Sequence, residues 1–132
     1  MNAALRTTDT YFARLLATVQ HNGFLLRTIN RREWTEELTL AAVRSEGRAL
    51  RFIPEPSQAV VRAAVEQDGD ALQYVVEQTD EICTAACRQW LGALHHIADD
   101  DMRERVIEGL IEAGVLATHP FNKATDAPAY AA

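Results

Sequence analysis

The sequence has few residues of the kinds that cross-link a small protein or anchor it in a membrane. Its 132 residues include two cysteines and four prolines. Two cysteines as close in sequence as Cys83 and Cys87 cannot form a disulfide framework, which indicates either a reducing compartment or no redox role for the cysteines. No apolar run approaches the roughly 20 residues that span a bilayer, and residues 1–9 lack the pattern of a secretory signal. We therefore expect a cytoplasmic protein that has no membrane contact.

Lysine is nearly absent, and charge is distributed unevenly along the chain. Of the 13 basic residues all but Lys123 are arginine. Residues 1–65 carry nine basic and six acidic residues, net +3, whereas residues 66–132 carry four basic and 13 acidic residues, net −9. An acidic half repels phosphates, so direct nucleic-acid binding is not expected. The same charge attracts a basic protein surface.

One short pattern recurs along the chain, at residues 17–29, 41–53, 63–75 and 85–97, and a degenerate fifth copy lies at 108–117. The copies are 24 residues apart once, 22 twice and then about 23. Three columns of the alignment keep their residue type, and these are Gly23, Gly47 and Gly69; Leu26, Leu50, Leu72 and Leu94; and Ile29, Ile53, Val75 and Ile97. A repeat of this length is typical of stacked supersecondary units.

Each copy is predicted to be a helix, a glycine that ends it, and a second short helix. Apolar residues recur at helical spacing before the glycine, and the glycine would adopt the left-handed conformation that follows a helix. Thr35, Ser57 and Asp80 are predicted to cap helix starts. The expected fold is all-α, a small α-solenoid-like stack or compact bundle of such units. The predicted boundaries are a domain over 1–120, with units at about 10–33, 34–55, 56–78, 79–99 and 100–120, and a mobile tail over 121–132.

The repeated pattern, in which two alanines and a valine precede a glycine and an alanine–leucine pair follows it, resembles the repeats of the domain-of-unknown-function family 4116. The resemblance covers residues 35–97 well and residues 10–34 and 100–118 loosely. Copy four departs from it, because Leu91 stands where the glycine should be and Gly92 follows. The family has no established activity, so the resemblance implies a helical repeat fold and an interaction role, and it transfers no catalytic residues.

Trp90 is the most informative single residue, since the other copies hold the polar residues Asn22, Glu46 and Asp68 at its position. It is either a local repacking of the unit boundary or an exposed anchor for a partner, since tryptophan is enriched at binding hot spots. The run Asp99–Asp101 is either a helix start, where acids complement the dipole, or an acidic patch. The candidate partner-binding residues are Trp90, Asp68, Asp70, Asp99, Asp100, Asp101 and Glu104, of which only Glu104 replaces an apolar core position, aligning loosely with Ile82.

A metal site or an enzyme is the remote alternative. Cys83, Cys87, His95 and His96 have the ligand types of a zinc site, but both cysteines stand where the preceding copy has core valines. A buried cysteine of this kind behaves as a small hydrophobe. The two serines, Ser45 and Ser57, lie at polar helix ends, and the glycines are isolated, so neither a nucleophile nor a phosphate loop is indicated. We expect no catalytic residues, no metal and no cofactor.

These observations favour a non-enzymatic module that binds a protein partner through its acidic C-terminal half. A narrower hypothesis is an inhibitor from a phage or mobile element that blocks the basic channel of a host defence nucleoprotein complex, as anti-CRISPR proteins do. The partner's identity and the oligomeric state do not follow from the sequence.

Overall fold

The computed structural model describes the backbone of residues 3–120 and the side chains of residues 10–120. The tail predicted over 121–132 lies outside these residues. Within them the fold is all-helical, with no strand, and short α-helices alternate with 3₁₀ helices. The α-helices are α1 Ala3–His21, α2 Glu36–Ser45, α3 Gln58–Gln67, α4 Asp80–Gln89 and α5 Asp100–Glu112; the 3₁₀ helices are η1 Gly23–Thr28, η2 Arg31–Glu33, η3 Gly47–Phe52, η4 Gly69–Tyr74 and η5 Leu91–His96. The prediction of an all-α fold built from helix–glycine–helix units is confirmed.

Side-chain caps set the helix starts. The hydroxyl of Thr35 accepts a hydrogen bond from the Leu38 amide, and the hydroxyl of Ser57 accepts one from the Val60 amide. Both predicted caps are therefore confirmed. The prediction for Asp80 is wrong, because Thr79 caps α4 and Asp80 lies in its first turn. The carboxylate of Asp80 is thereby left to pair with another unit.

The helices form two layers that share one apolar core. Helices α1 to α5 pack against one another in chain order, and η1, η3, η4 and η5 pack side by side in the same order. Helices η1, η3, η4 and η5 each contribute the leucine of the repeat, and the aliphatic residue of the repeat follows each helix; all of these residues are buried. The inner positions of α2, α3 and α4 include the fully buried alanines Ala42, Ala64 and Ala86. Small residues at these positions let the 3₁₀ helix of the preceding unit approach the α-helix closely.

The repeated glycines are required for a reason other than the predicted one. Among the described residues only Gly114 has a positive φ, of 78°, so Gly23, Gly47 and Gly69 do not adopt a left-handed conformation. Each instead begins a 3₁₀ helix and lies against the next unit. A Cβ on these glycines would overlap the carbonyl oxygens of Ala42, Ala64 and Ala86, respectively.

The same glycines carry the main polar link between units. The Gly47 amide donates to Oε1 of Gln67, and the Gly69 amide donates to Oε1 of Gln89, both at 2.6 Å. The Gly23 amide donates to Oγ of Ser45 at 3.2 Å. The three acceptors are the last residues of α3, α4 and α2. We call this combination, a glycine packed on an alanine carbonyl and bonded to the last side chain of the next helix, the glycine interlock.

A glycine-to-alanine exchange tests the interlock. Gly69→Ala places a methyl group against a backbone carbonyl, which moves only if α4 moves, so we expect a loss of about 1–3 kcal/mol in the free energy of unfolding. Gly109→Ala is the matched control, because Gly109 lies inside α5 with open space around its Cα. Alanine there should stabilise the protein by about 0.5–1 kcal/mol. Urea unfolding followed by circular dichroism measures both, and equal stability of Gly69→Ala and the wild type would contradict the interlock.

Candidate protein-interaction surface

Asp68 and Asp70 lie in a charged cluster on the 3₁₀ layer. Asp68 caps η4 by accepting a hydrogen bond from the Asp70 amide. Arg48 of η3 contacts both carboxylates, at 3.0 Å to Asp68 and 3.1 Å to Asp70, and His96 Nε2 lies 2.9 Å from Asp70 Oδ1. The side chain of Asp70 is only 18% exposed. Both carboxylates are therefore partly buried and connect neighbouring units.

Trp90 has features of both alternatives that the sequence left open. Its ring covers Gly92, where a Cβ would overlap the indole, and it lies beside His96 with ring centroids 6.0 Å apart. Trp90 nevertheless remains 46% exposed, and Leu91 next to it is 41% exposed. The shift of glycine from position 91 to 92 thus makes room for the indole. The result is a supported but exposed apolar pair.

The acids Asp99, Asp100 and Asp101 form the start of α5. Asp99 is the N-cap, and its Oδ1 accepts a hydrogen bond from the Met102 amide at 2.7 Å. Asp100 forms an ion pair with Arg103 of the same helix, yet its side chain is 83% exposed. Asp101 is exposed in the first turn. These residues therefore cap the helix and also present negative charge to solvent.

Two further acids of the C-terminal half are paired within the chain. His119 Nε2 lies 2.8 Å from Glu104 Oε2. Arg105 of α5 holds both carboxylate oxygens of Asp80 at 2.9 and 3.1 Å, and the hydrogen bond from Arg105 lowers the pKa of Asp80. The predicted alignment of Glu104 with Ile82 is wrong, because the caps Thr79 and Asp99 place Met102 at the position of Ile82.

The structure therefore connects some of the candidate residues by direct contacts and leaves others apart. Asp68, Asp70 and Trp90 are joined through Arg48 and His96. Asp99, Asp100 and Asp101 are neighbours at the start of α5, and Glu104 pairs with His119 instead. The segment from Trp90 to Asp101 contains the exposed apolar pair Trp90 and Leu91 and the exposed acids at the start of α5.

Cys83 and Cys87 are free thiols in the core. Both have no exposed surface, and Cys83 Sγ lies 3.7 Å from Met102 Sδ of α5. Burial raises the pKa of Cys83 to about 11 and that of Cys87 to about 12. Nucleophilic thiolate is thus suppressed at neutral pH. Over residues 10–120, whose side chains the structure describes, no three His, Cys, Asp or Glu side chains are grouped to hold a metal ion. None of the helices within residues 3–120 is long and apolar enough to cross a membrane.

Sequence reasoning missed a cluster of arginines and phenylalanines in the N-terminal half. Phe24 of η1 and Phe52 of η3 pack edge to face, with centroids 6.3 Å apart. The guanidinium of Arg27 lies 5.7 Å from the Phe52 ring centre, and that of Arg51 lies 4.6 Å from it. The sequence did contain a sign of this cluster: Arg27 and Arg51 each follow the repeated leucine and so occupy the same position of successive units. We call Phe24, Arg27, Arg51 and Phe52 the arginine–phenylalanine cluster.

The buried thiols predict how stability depends on alkaline pH. Unfolded thiols ionise near 9.0, whereas the folded ones keep their protons until about 11 and about 12. The unfolded state therefore loses protons first, and stability falls as the pH rises above 9.0. At one pH unit above the ordinary thiol pKa we expect a loss of about 3 kcal/mol in the free energy of unfolding for the two groups together.

The double variant Cys83→Val, Cys87→Val provides the control, since valine occupies the equivalent positions of α3 at Val61 and Val65. Urea unfolding at neutral and alkaline pH should show a shallower alkaline loss in this variant than in the wild type. The same loss in both proteins would assign it to other groups.

Comparisons with protein-family models, with curated proteins and with solved structures give no match for this chain. The similarity of the repeats to the domain-of-unknown-function family 4116 stays a prediction.

Proposed function

We propose that this protein is a non-enzymatic module that binds a protein partner with a basic surface through its C-terminal half. The observation that carries the proposal is the exposed pair Trp90 and Leu91, which occurs where the glycine interlock stops. In the preceding units this place holds a polar residue followed by a buried glycine. Tryptophan is enriched at the hot spots of protein interfaces, which makes the exposed Trp90 with Leu91 beside it a candidate contact site.

The contacts of Trp90 suit it to the role of an anchor. The indole is supported by Gly92 and His96, so its orientation is restricted before a partner arrives. A supported aromatic side chain loses little conformational entropy on binding, which is one reason that tryptophan dominates binding hot spots. Trp90 would supply most of the binding energy, and Leu91 would extend the apolar contact.

The acids at the start of α5 would supply electrostatic attraction. Asp100 and Asp101 are exposed, and the residues from 66 onward carry a net charge of −9. Acids near an interface mainly accelerate association with a basic partner and select against acidic ones. Asp68, Asp70 and Glu104 would contribute less, because Arg48, His96 and His119 already pair with them.

Other features are consistent with a binding role in a reducing compartment. The two thiols are free and buried, and their raised pKa values disfavour nucleophilic catalysis at neutral pH. Free cysteines of this kind are usual in cytoplasmic proteins. We propose the cytoplasm as the location for this reason.

Truncation of the anchor tests the proposal. The partner is captured from a lysate of the native host with immobilised wild-type protein and identified by mass spectrometry, and its affinity is then measured with purified components. Trp90→Ala should weaken binding at least about tenfold, mainly through faster dissociation. Tyr11→Ala is the matched control, because Tyr11 in α1 is 48% exposed, similar to Trp90. Unchanged affinity of Trp90→Ala with a preserved helical spectrum would contradict the proposal.

Neutralisation of the α5 start tests the electrostatic part. The triple variant Asp99→Asn, Asp100→Asn, Asp101→Asn removes three charges, and asparagine at position 99 still caps the helix. Association with the same partner should become slower at low salt, and the difference should shrink as salt screens it, with a Debye length of about 8 Å at physiological ionic strength. The control Glu37→Gln, Glu46→Gln, Glu55→Gln changes the net charge equally in the N-terminal half. Equal slowing in both triple variants would indicate that only net charge matters.

A further inference from the structure

The arginine–phenylalanine cluster lies in the half of the chain opposite to the proposed anchor. Arg27 of η1 and Arg51 of η3 both stack on Phe52, and Arg51 also lies 6.0 Å from the ring centre of Phe24. The two rings are half-buried, whereas both arginines are exposed. The packing of η1 on η3 therefore brings two guanidinium groups onto one aromatic support.

The described side chains provide no counter-charge for these two cations. In the described part of the chain neither Arg27 nor Arg51 forms an ion pair, whereas Arg48 of the same 3₁₀ layer pairs with Asp68 and Asp70. The segments Gly23–Thr28 and Gly47–Phe52 contain no acidic residue. Two positive charges are thus kept close together without the compensation that the C-terminal units provide.

A stacked guanidinium is well prepared to bind an oxyanion. Contact with a ring restricts the side chain while its N–H groups stay available in the plane of the guanidinium. That fork matches the geometry of a carboxylate or a phosphate, and charge-assisted hydrogen bonds of this kind are among the strongest in proteins. Two adjacent forks would bind a ligand that carries several negative groups.

We propose that Arg27 and Arg51 form a docking site for the carboxylate side chains of an acidic protein segment. Charge complementarity identifies this class of partner, because residues 1–65 carry a net charge of +3 and η1 and η3 contain only basic charges. A nucleic acid fits less well. A base would have to stack on the Phe52 ring, and the guanidinium groups of Arg27 and Arg51 already stack there. In addition, the −9 charge of the other half repels a polyanionic chain.

The experiment titrates the full chain with a capped hexaglutamate peptide and follows the arginine Nε–Hε signals by NMR. The signals of Arg27 and Arg51 should move most, with saturation, and a capped hexaglutamine peptide should cause no such shift. Arg27→Gln, Arg51→Gln should weaken hexaglutamate binding about tenfold or more, because two charge-assisted contacts are lost. Arg27→Lys, Arg51→Lys keeps the charge but loses the planar fork and should weaken binding nearly as much.

The control Arg32→Gln, Arg44→Gln removes the same charge from two exposed arginines of the same half and should leave most of the affinity intact. Equal weakening of hexaglutamate binding in the two glutamine variants, or full affinity in the lysine variant, would mean that positive charge attracts the peptide without a specific site. Either result would overturn the proposal. Tighter binding of an oligothymidylate than of hexaglutamate, dependent on Arg27 and Arg51, would also overturn it and indicate a nucleic-acid surface. Trp90→Ala should bind hexaglutamate normally, which separates this site from the proposed anchor.

Discussion

The close approach of each glycine to the carboxyl end of the next α-helix is the contact on which the stack depends. It combines a steric condition, no Cβ beside the carbonyl of Ala42, Ala64 or Ala86, with a hydrogen bond from the glycine amide to the last side chain of that helix. The first condition fixes the distance between units and the second fixes their register. Because both recur, one short unit that could not bury its apolar face alone shares a continuous core with its neighbours.

The place where this contact stops explains the unusual surface of the C-terminal half. Leu91 replaces the glycine, and the caps Thr79 and Asp99 place Val106 of α5 at the position that Ala86 has in α4. The alanine on which the glycine would pack is replaced by a valine, and the glycine itself is replaced by a leucine. Helix η5 therefore cannot lie against α5 as the preceding 3₁₀ helices lie against the α-helices that follow them. Trp90 turns over Gly92 instead, and an apolar pair remains exposed. The proposed anchor is thus a consequence of the way in which the repeat ends.

Charge in this protein serves two different purposes. Many acids of the C-terminal units are structural, since Asp68 and Asp70 join η3, η4 and η5 through Arg48 and His96, and Asp80 joins α4 to α5 through Arg105. Asp99, Asp100 and Asp101, in contrast, are exposed together at the start of α5. The N-terminal half has the opposite arrangement, because Arg27 and Arg51 stack on Phe52 and have no carboxylate of their own among the described residues. The two halves therefore present different chemistry to their surroundings.

The sequence by itself determined the all-α class, the repeat, the buried leucine column and the caps Thr35 and Ser57, because these depend on periodicity and on local hydrogen bonds. It also located the anomaly at Trp90 and Leu91, since a broken repeat is visible without coordinates. Only the tertiary structure decided why the glycines are needed, which acids form ion pairs and which arginines have no ion pair with another described residue. The φ angles and the overlap at Ala86 show that Gly69 avoids a collision with another unit, whereas its local sequence resembles any helix end. Likewise Asp70 is adjacent to nothing basic in sequence, and Arg48 and His96 reach it because units 20 or more residues apart are stacked. Contacts between residues that are remote in sequence depend on the distance and register between units, and packing sets both.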